Sequence, residues 1–236
     1  MNNKVLFCFA YAGGTADFYK ILVNALPADF NLICFDYPGH GNRHREKLCT
    51  CFEEVVEDFY PKIKDYILSN NVKEYGLFGY SMGSITCFEI ASKIYKLNEV
   101  LMPKHIFLAA HEPMDRMQLD DVKESDLDEY VKKRTIDFGA VPEKLINNKS
   151  FWRMYLPLYK ADYLMIYRCH LEKIDYKLDV PLTVFYSEID TPYDKIIKWS
   201  QLFSKECNYI KFDGPHFFIN QYYEEIASLI KQQMEN

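Results

Sequence analysis

Gly79-Tyr80-Ser81-Met82-Gly83 sets a serine between two glycines, a spacing suited to nucleophilic catalysis. Tyr75-Gly76-Leu77-Phe78 before it reads as a short buried strand, and residues 84–97 after it have helical composition. A tight strand-to-helix turn exposes the serine hydroxyl and leaves little space for a Cβ on either side, which glycine at 79 and 83 satisfies. The plainer alternative is an ordinary turn in which Ser81 only caps a helix.

A serine hydroxyl needs a base, and this kind of turn implies the chain order Ser, Asp/Glu, His. Of six histidines, His170 and His216 follow a strand-spaced acid, and His170 falls in a helical stretch. His216, in Phe212-Asp213-Gly214-Pro215-His216-Phe217-Phe218, comes directly after the last predicted strand, so it is the expected base; a turn histidine capping the final helix is its alternative. Glu188, Asp190 and Asp194 compete for the acid. Pro192 suits the first turn of the next helix, which leaves Asp190 in the loop and gives Asp194 to the helix dipole. An oxyanion would be held by the backbone N–H of Met82 and by that of Tyr11 or Ala12, in the turn Tyr11-Ala12-Gly13-Gly14-Thr15. That turn has no GxGxxG pattern and no Walker lysine, so it reads poorly as a nucleotide site.

Six apolar runs must position these residues: 4–10, 31–37, 75–79, 105–110, 182–187 and 209–212. None alternates cleanly with polar residues, the look of strands buried on both faces. Helical stretches at 18–26, 52–68, 84–97, 194–203 and 222–234 separate or follow them, with Thr50-Cys51-Phe52-Glu53 a candidate capping box. The alternation predicts an α/β fold, a mostly parallel sheet flanked by helices. Residues 112–178 break it with helical patterns alone. There Ser125-Asp126-Leu127-Asp128 reads as a second capping box and Ser150 as the cap of a longer helix. The chain therefore reads as one domain, 1–236, carrying an inserted helical lid at 112–178. Lid aromatics such as Trp152 and Tyr155, and Tyr80 beside the serine, are candidate substrate contacts; packing of the lid onto the body would use the same side chains.

The net charge is −6, and the segment 112–129 alone carries eight acids and two bases, so the remaining 26 acids and 26 bases cancel. Nothing in this balance suggests nucleic acid. No apolar run approaches the ~18 residues of a membrane span, and the Met1-Asn2-Asn3-Lys4 start lacks the features of a signal peptide, so a cytoplasmic monomer is expected. Seven scattered cysteines without CxxC or metal spacing predict free thiols and no metal.

Taken with Phe7-Cys8-Phe9-Ala10-Tyr11-Ala12-Gly13-Gly14, Tyr37-Pro38-Gly39-His40-Gly41-Asn42-Arg43 and Phe88-Glu89-Ile90-Ala91, the motifs around Ser81 and His216 resemble those of the type II thioesterases that accompany nonribosomal peptide and polyketide synthases. The match runs nearly end to end, loosely over 112–178. Three residues depart from it: Ala10 for the usual proline, Tyr80 for histidine and Pro215 for glycine. The resemblance implies an α/β-hydrolase fold with a Ser81-His216-Asp190 triad. It implies no cofactor, since the substrate brings its own phosphopantetheine, and it implies acyl or peptidyl carrier proteins as partners. Such carriers are commonly acidic, so Arg43-His44-Arg45 with Lys47, and Lys132-Lys133-Arg134, are candidate docking groups, while 112–129 would repel. A carboxylesterase, lipase or acyltransferase using the same residues, or a binding module without catalysis, are the alternatives.

Overall fold

The structure, a computed structural model, describes residues 4–113, 122–169, 171 and 174–235. Strands β1 (Lys4–Phe9), β2 (Phe30–Phe35), β3 (Tyr75–Tyr80), β4 (His105–Ala109), β5 (Leu182–Tyr186) and β6 (Cys207–Lys211) form one sheet in the order β2-β1-β3-β4-β5-β6. Every ladder is parallel. The apolar runs of β1, β3, β4 and β5 are buried nearly throughout, as strands covered on both faces must be. β2 and β6 are only half-buried, unlike the expectation of full burial, because each is an edge with a neighbour on one side.

Helices α1 (Lys20–Ala25), α2 (Phe52–Ser69), α3 (Met82–Leu97), α6 (Tyr193–Ile196) and α7 (Ile219–Glu235) connect or follow the strands, with α2 packed on α3 and α1 on α7. Two predicted helices are divided. A 3-10 turn at Ala16–Tyr19 precedes α1, and α6 gives way to a 3-10 turn at Ile197–Gln201. Between β4 and β5 the described residues form α4 (Leu127–Asp137) and α5 (Lys149–Tyr167), which pack on one another, and α5 also reaches α3.

The helix starts differ in detail from the sequence reading. Glu54 rather than Glu53 accepts the Thr50 N–H at 2.7 Å, because Cys51 is the N-cap of α2 and Glu54 stands three residues on. Ser125 does not cap α4: its hydroxyl turns to Asp126 Oδ1 across a preceding 3-10 turn. Asn148 caps α5, accepting the Phe151 N–H at 3.0 Å, which puts Ser150 inside the helix.

Because all six strands run the same way, the turns after them gather at one edge of the sheet. Gly79 in β3 pairs with Phe9 in β1 on one side and Leu108 in β4 on the other. The serine turn therefore lies between the ends of β1 and β4, and the loops after β5 and β6 bring Asp190 and His216 to the same edge.

Candidate active site

Ser81 has φ +54° and ψ −118°, a left-handed strain of about 1–3 kcal/mol for a residue with a side chain. Its surroundings enforce it. A Cβ on Gly79 would lie 2.0 Å from the Gly83 carbonyl oxygen, and one on Gly83 would lie 1.9 Å from that of Phe9. No other side chain fits at either position. Ser81 N–H donates to the Ala109 carbonyl at 2.8 Å, while the Ser84 hydroxyl reaches the carbonyls of Gly79 and Ala109. The Ser81 side chain makes no capping hydrogen bond, so its hydroxyl is left to the cavity it lines.

That cavity is about 350 Å³, and Ser81, His216, Asp190, Tyr11 and Ala12 all line it. His216 Nδ1 lies 2.8 Å from Asp190 Oδ1, with both side chains nearly inaccessible to solvent. A carboxylate can only accept, so Nδ1 carries the proton and Nε2 is the imidazole nitrogen left unoccupied by the pair. The other two acids go elsewhere: exposed Glu188 receives the Tyr193 N–H, and Asp194 lies in the first turn of α6. Met82 is the first residue of α3, where an amide N–H has no partner within the helix. In the turn after β1, Gly14 N–H closes onto the Tyr11 carbonyl at 2.8 Å and Gly13 N–H is taken by Asp162 Oδ2 at 2.7 Å. Tyr11 and Ala12 are thus the positions in that turn that combine a place on the cavity wall with an N–H outside these bonds.

The candidate substrate contacts fall outside the cavity. Tyr80 is fully buried beneath it, its ring parallel to Phe217 and its hydroxyl donating to the His216 carbonyl at 2.6 Å. Trp152 lines a separate groove and donates its indole N–H to the Ile146 carbonyl at 2.7 Å; Tyr155 stacks on Phe151 at the surface. The pattern of α5 turns these rings to the lid rather than to Ser81. Instead α4 supplies Tyr130 and Arg134, its C-cap supplies Phe138, and α5 supplies Tyr163 and Ile166. The spacing 130, 134, 138 is one helix face and was visible in the sequence, but Arg134 read there as part of a surface run.

The candidate docking groups are likewise rearranged. Arg43 forks onto Asp58, with Nη2 2.9 Å from Oδ1, and also holds Glu46, contacts that raise its pKa. It is structural, whereas Arg45 and Lys47 are exposed. Of the acidic segment, Glu112 pairs with Lys195 at 3.1 Å, Asp128 with Lys160 at 2.8 Å and Glu129 with Lys132 at 2.6 Å. Asp115, Asp120 and Asp121, like His170, lie outside the described residues. Cys8, Cys34, Cys49, Cys51, Cys87 and Cys207 are free thiols, and no described helix is long and apolar enough to cross a membrane.

A strained serine between steric glycines, with a His–Asp pair on the same cavity wall and a parallel sheet beneath, is the arrangement of a serine hydrolase on an α/β-hydrolase fold. The chain belongs to the thioesterase domain family, whose model matches residues 4–234. It is 26% identical over 231 residues to the gramicidin S biosynthesis protein GrsT of Aneurinibacillus migulanus, covering 96% of this chain and 88% of that one. It is 27% identical over 222 residues to the medium-chain S-acyl fatty acid synthase thioesterase of Rattus norvegicus, covering 91% and 81%. Two solved structures share the fold: ClbQ of the colibactin NRPS/PKS pathway (TM-score 0.82, 24% identity, 99% and 97% covered), and RedJ, the thioesterase of the prodiginine pathway of Streptomyces coelicolor (0.85, 21%, 98% and 90%). A third solved structure of the same fold is BorB, the type II thioesterase of the borrelidin biosynthetic cluster (0.79, 22%, 98% and 92%).

Proposed function

We propose that the protein hydrolyses acyl groups from the phosphopantetheine thiol of carrier proteins through an acyl-serine intermediate. The observation that carries this reading is the His216 Nδ1 to Asp190 Oδ1 contact beside the strained Ser81. His216 Nε2 takes the Ser81 proton as Oγ attacks the thioester carbon, and the N–H groups of Met82 and of Tyr11 or Ala12 hold the oxyanion. The C–S bond then breaks, and the thiolate leaves with the proton from His216. Water, deprotonated by the same nitrogen, cleaves the acyl-serine to the free acid and restores Ser81 Oγ–H. Asp190 keeps Nδ1 protonated throughout and stabilises the imidazolium. A thiol of pKa near ~8.5 leaves readily, so deacylation weighs as heavily as acylation.

Covalent labelling by a fluorophosphonate, combined with turnover of butyryl-pantetheine and its oxygen-ester analogue, tests this reading. Wild-type protein should label at Ser81 and prefer the thioester, and Ser81→Ala should lose labelling and lower kcat by about 10⁶-fold. Undiminished hydrolysis by that variant would remove Ser81 from the mechanism.

The pathway names of the relatives support a carrier-bound substrate. With Arg43 tied internally and Arg134 on the cavity wall, docking of an acidic carrier rests on Arg45, Lys47, Lys132 and Lys133. Reversing Arg45 and Lys133 to glutamate should lower kcat/KM on carrier-bound butyryl by about tenfold while sparing butyryl-pantetheine; equal loss on both would exclude a docking role.

A further inference from the structure

Tyr130 and Arg134 of α4, with Phe138 at its C-cap, line the cavity that holds Ser81. The Arg134 guanidinium lies 4.8 Å from the centre of the Phe138 ring, and that ring lies 4.5 Å from the imidazole of His216. A guanidinium carries five N–H donors in a planar fork. None of Arg134's finds an acceptor among the described residues, and its Nε is buried without one. Glu112 on the same wall pairs with Lys195, and Asp190 accepts a hydrogen bond from His216. Arg134 therefore brings to the cavity wall, next to the reacting centre, a guanidinium that no carboxylate among the described residues pairs with. Stacking on Phe138 uses the flat face of the guanidinium and leaves its edge, where the N–H groups point, for an acceptor.

A cation held this way has a low-energy use in recognising a planar or tetrahedral anion, which takes two N–H bonds from one fork. We propose that Arg134 is a specificity-determining residue that receives an anionic group of the thioester substrate, either a carboxylate at the end of the acyl group or the phosphate of the phosphopantetheine arm. This rests on the thioesterase reading above. The residue makes or breaks no covalent bond; it selects which thioester sits over Ser81.

Three substrates separate the two sources: butyryl-pantetheine, which has no anion; succinyl-pantetheine, with an acyl carboxylate; and butyryl-phosphopantetheine, with a phosphate. For Arg134→Gln the ratio of kcat/KM on the anionic substrate to that on butyryl-pantetheine should fall about 10- to 100-fold, mainly through KM, the loss expected for one charge-assisted pair. Arg134→Lys should retain part of the ratio, since it keeps the charge but not the fork. A fall on succinyl-pantetheine identifies the carboxylate and a fall on butyryl-phosphopantetheine the phosphate. A ratio unchanged on both in either folded variant overturns the proposal, as does a wild-type protein that prefers neither anionic substrate to the neutral one. Failure of the wild type to hydrolyse any of the three would instead overturn the thioesterase reading itself.

Discussion

Two buried histidine–aspartate pairs lie within this molecule, alike in chemistry and opposite in use. His216 and Asp190 are 2.8 Å apart, His40 and Asp162 2.9 Å, and all four side chains are nearly fully buried. The difference lies in the imidazole's second nitrogen. In His216 it is free of the pair and the ring lines the cavity with Ser81; in His40 Nδ1 is spent on the Pro38 carbonyl at 3.1 Å. Asp162, from α5, also takes the Gly13 N–H, and the Tyr159 ring one turn earlier fills the space where a Gly13 Cβ would stand. In the proposed mechanism the first pair moves protons, whereas the second ties α5 to the turn after β1. A His–Asp pair thus acquires its role from its third partner.

Replacing each aspartate by asparagine separates the roles most widely. Asp190→Asn should reduce kcat by about 10⁴-fold with little change in Tm, because the imidazole loses the carboxylate that fixes its tautomer. Asp162→Asn should leave most of the activity of each folded molecule. If Asp162→Asn instead matched the kcat loss of Asp190→Asn at full Tm, the proposed division between the pairs would be wrong.

Stability should show the reverse order. Removing one member of a buried pair strands the other, and Asp162→Ala should cost about 3–5 kcal/mol, read by denaturant unfolding. The pH dependence gives a finer mark. Burial pulls the His40 pKa down, but the Asp162 carboxylate outweighs it and the net value lies above 6.5. A raised folded pKa means that the pair's contribution is fully present below the unfolded value and is lost as pH rises through the folded one. The stability gap between wild type and Asp162→Ala should therefore be widest near pH 6 and narrow above it. A gap that widened with pH would contradict a protonated His40.

The tight serine turn was legible in the sequence because steric demand writes itself in residue type: only glycine fits at 79 and 83. The strand ends at 9, 80 and 186 were readable to within one or two residues because buried parallel strands are near-continuous apolar runs. The His40–Asp162 pair was not readable: His40 stands in the motif at 37–43, but 122 residues separate it from Asp162 and nothing in that motif names its partner. Arg134 was hidden differently. Its neighbours Lys132 and Lys133 made it look like surface charge, and only the turn of α4 sends it inward while they remain on the outer groove. Trp152 and Tyr155 were misplaced for the converse reason: aromatics at helical spacing mark a packed face without saying which neighbour it packs on.

Tyr80 offers the smallest and most particular test of how the His216–Asp190 pair is held. It occupies the position where the resembling family usually has histidine, and its hydroxyl donates to the His216 backbone carbonyl from a fully buried site. Pro215, just before His216, has no N–H with which to fasten that loop. The Ser187 hydroxyl donates to the Gly214 carbonyl, so two hydroxyls hold successive parts of the loop from below. Tyr80→Phe keeps the ring packed between Phe18 and Phe217 but leaves a buried carbonyl unpaired, at a cost of about 1–3 kcal/mol. The loosened imidazole should lower kcat by about tenfold with KM nearly constant, and Asp190→Asn should then cost less in the Tyr80→Phe background than alone, since both changes act on the placement of one ring. Strict additivity of the two losses would show that Tyr80 stabilises the loop without positioning His216.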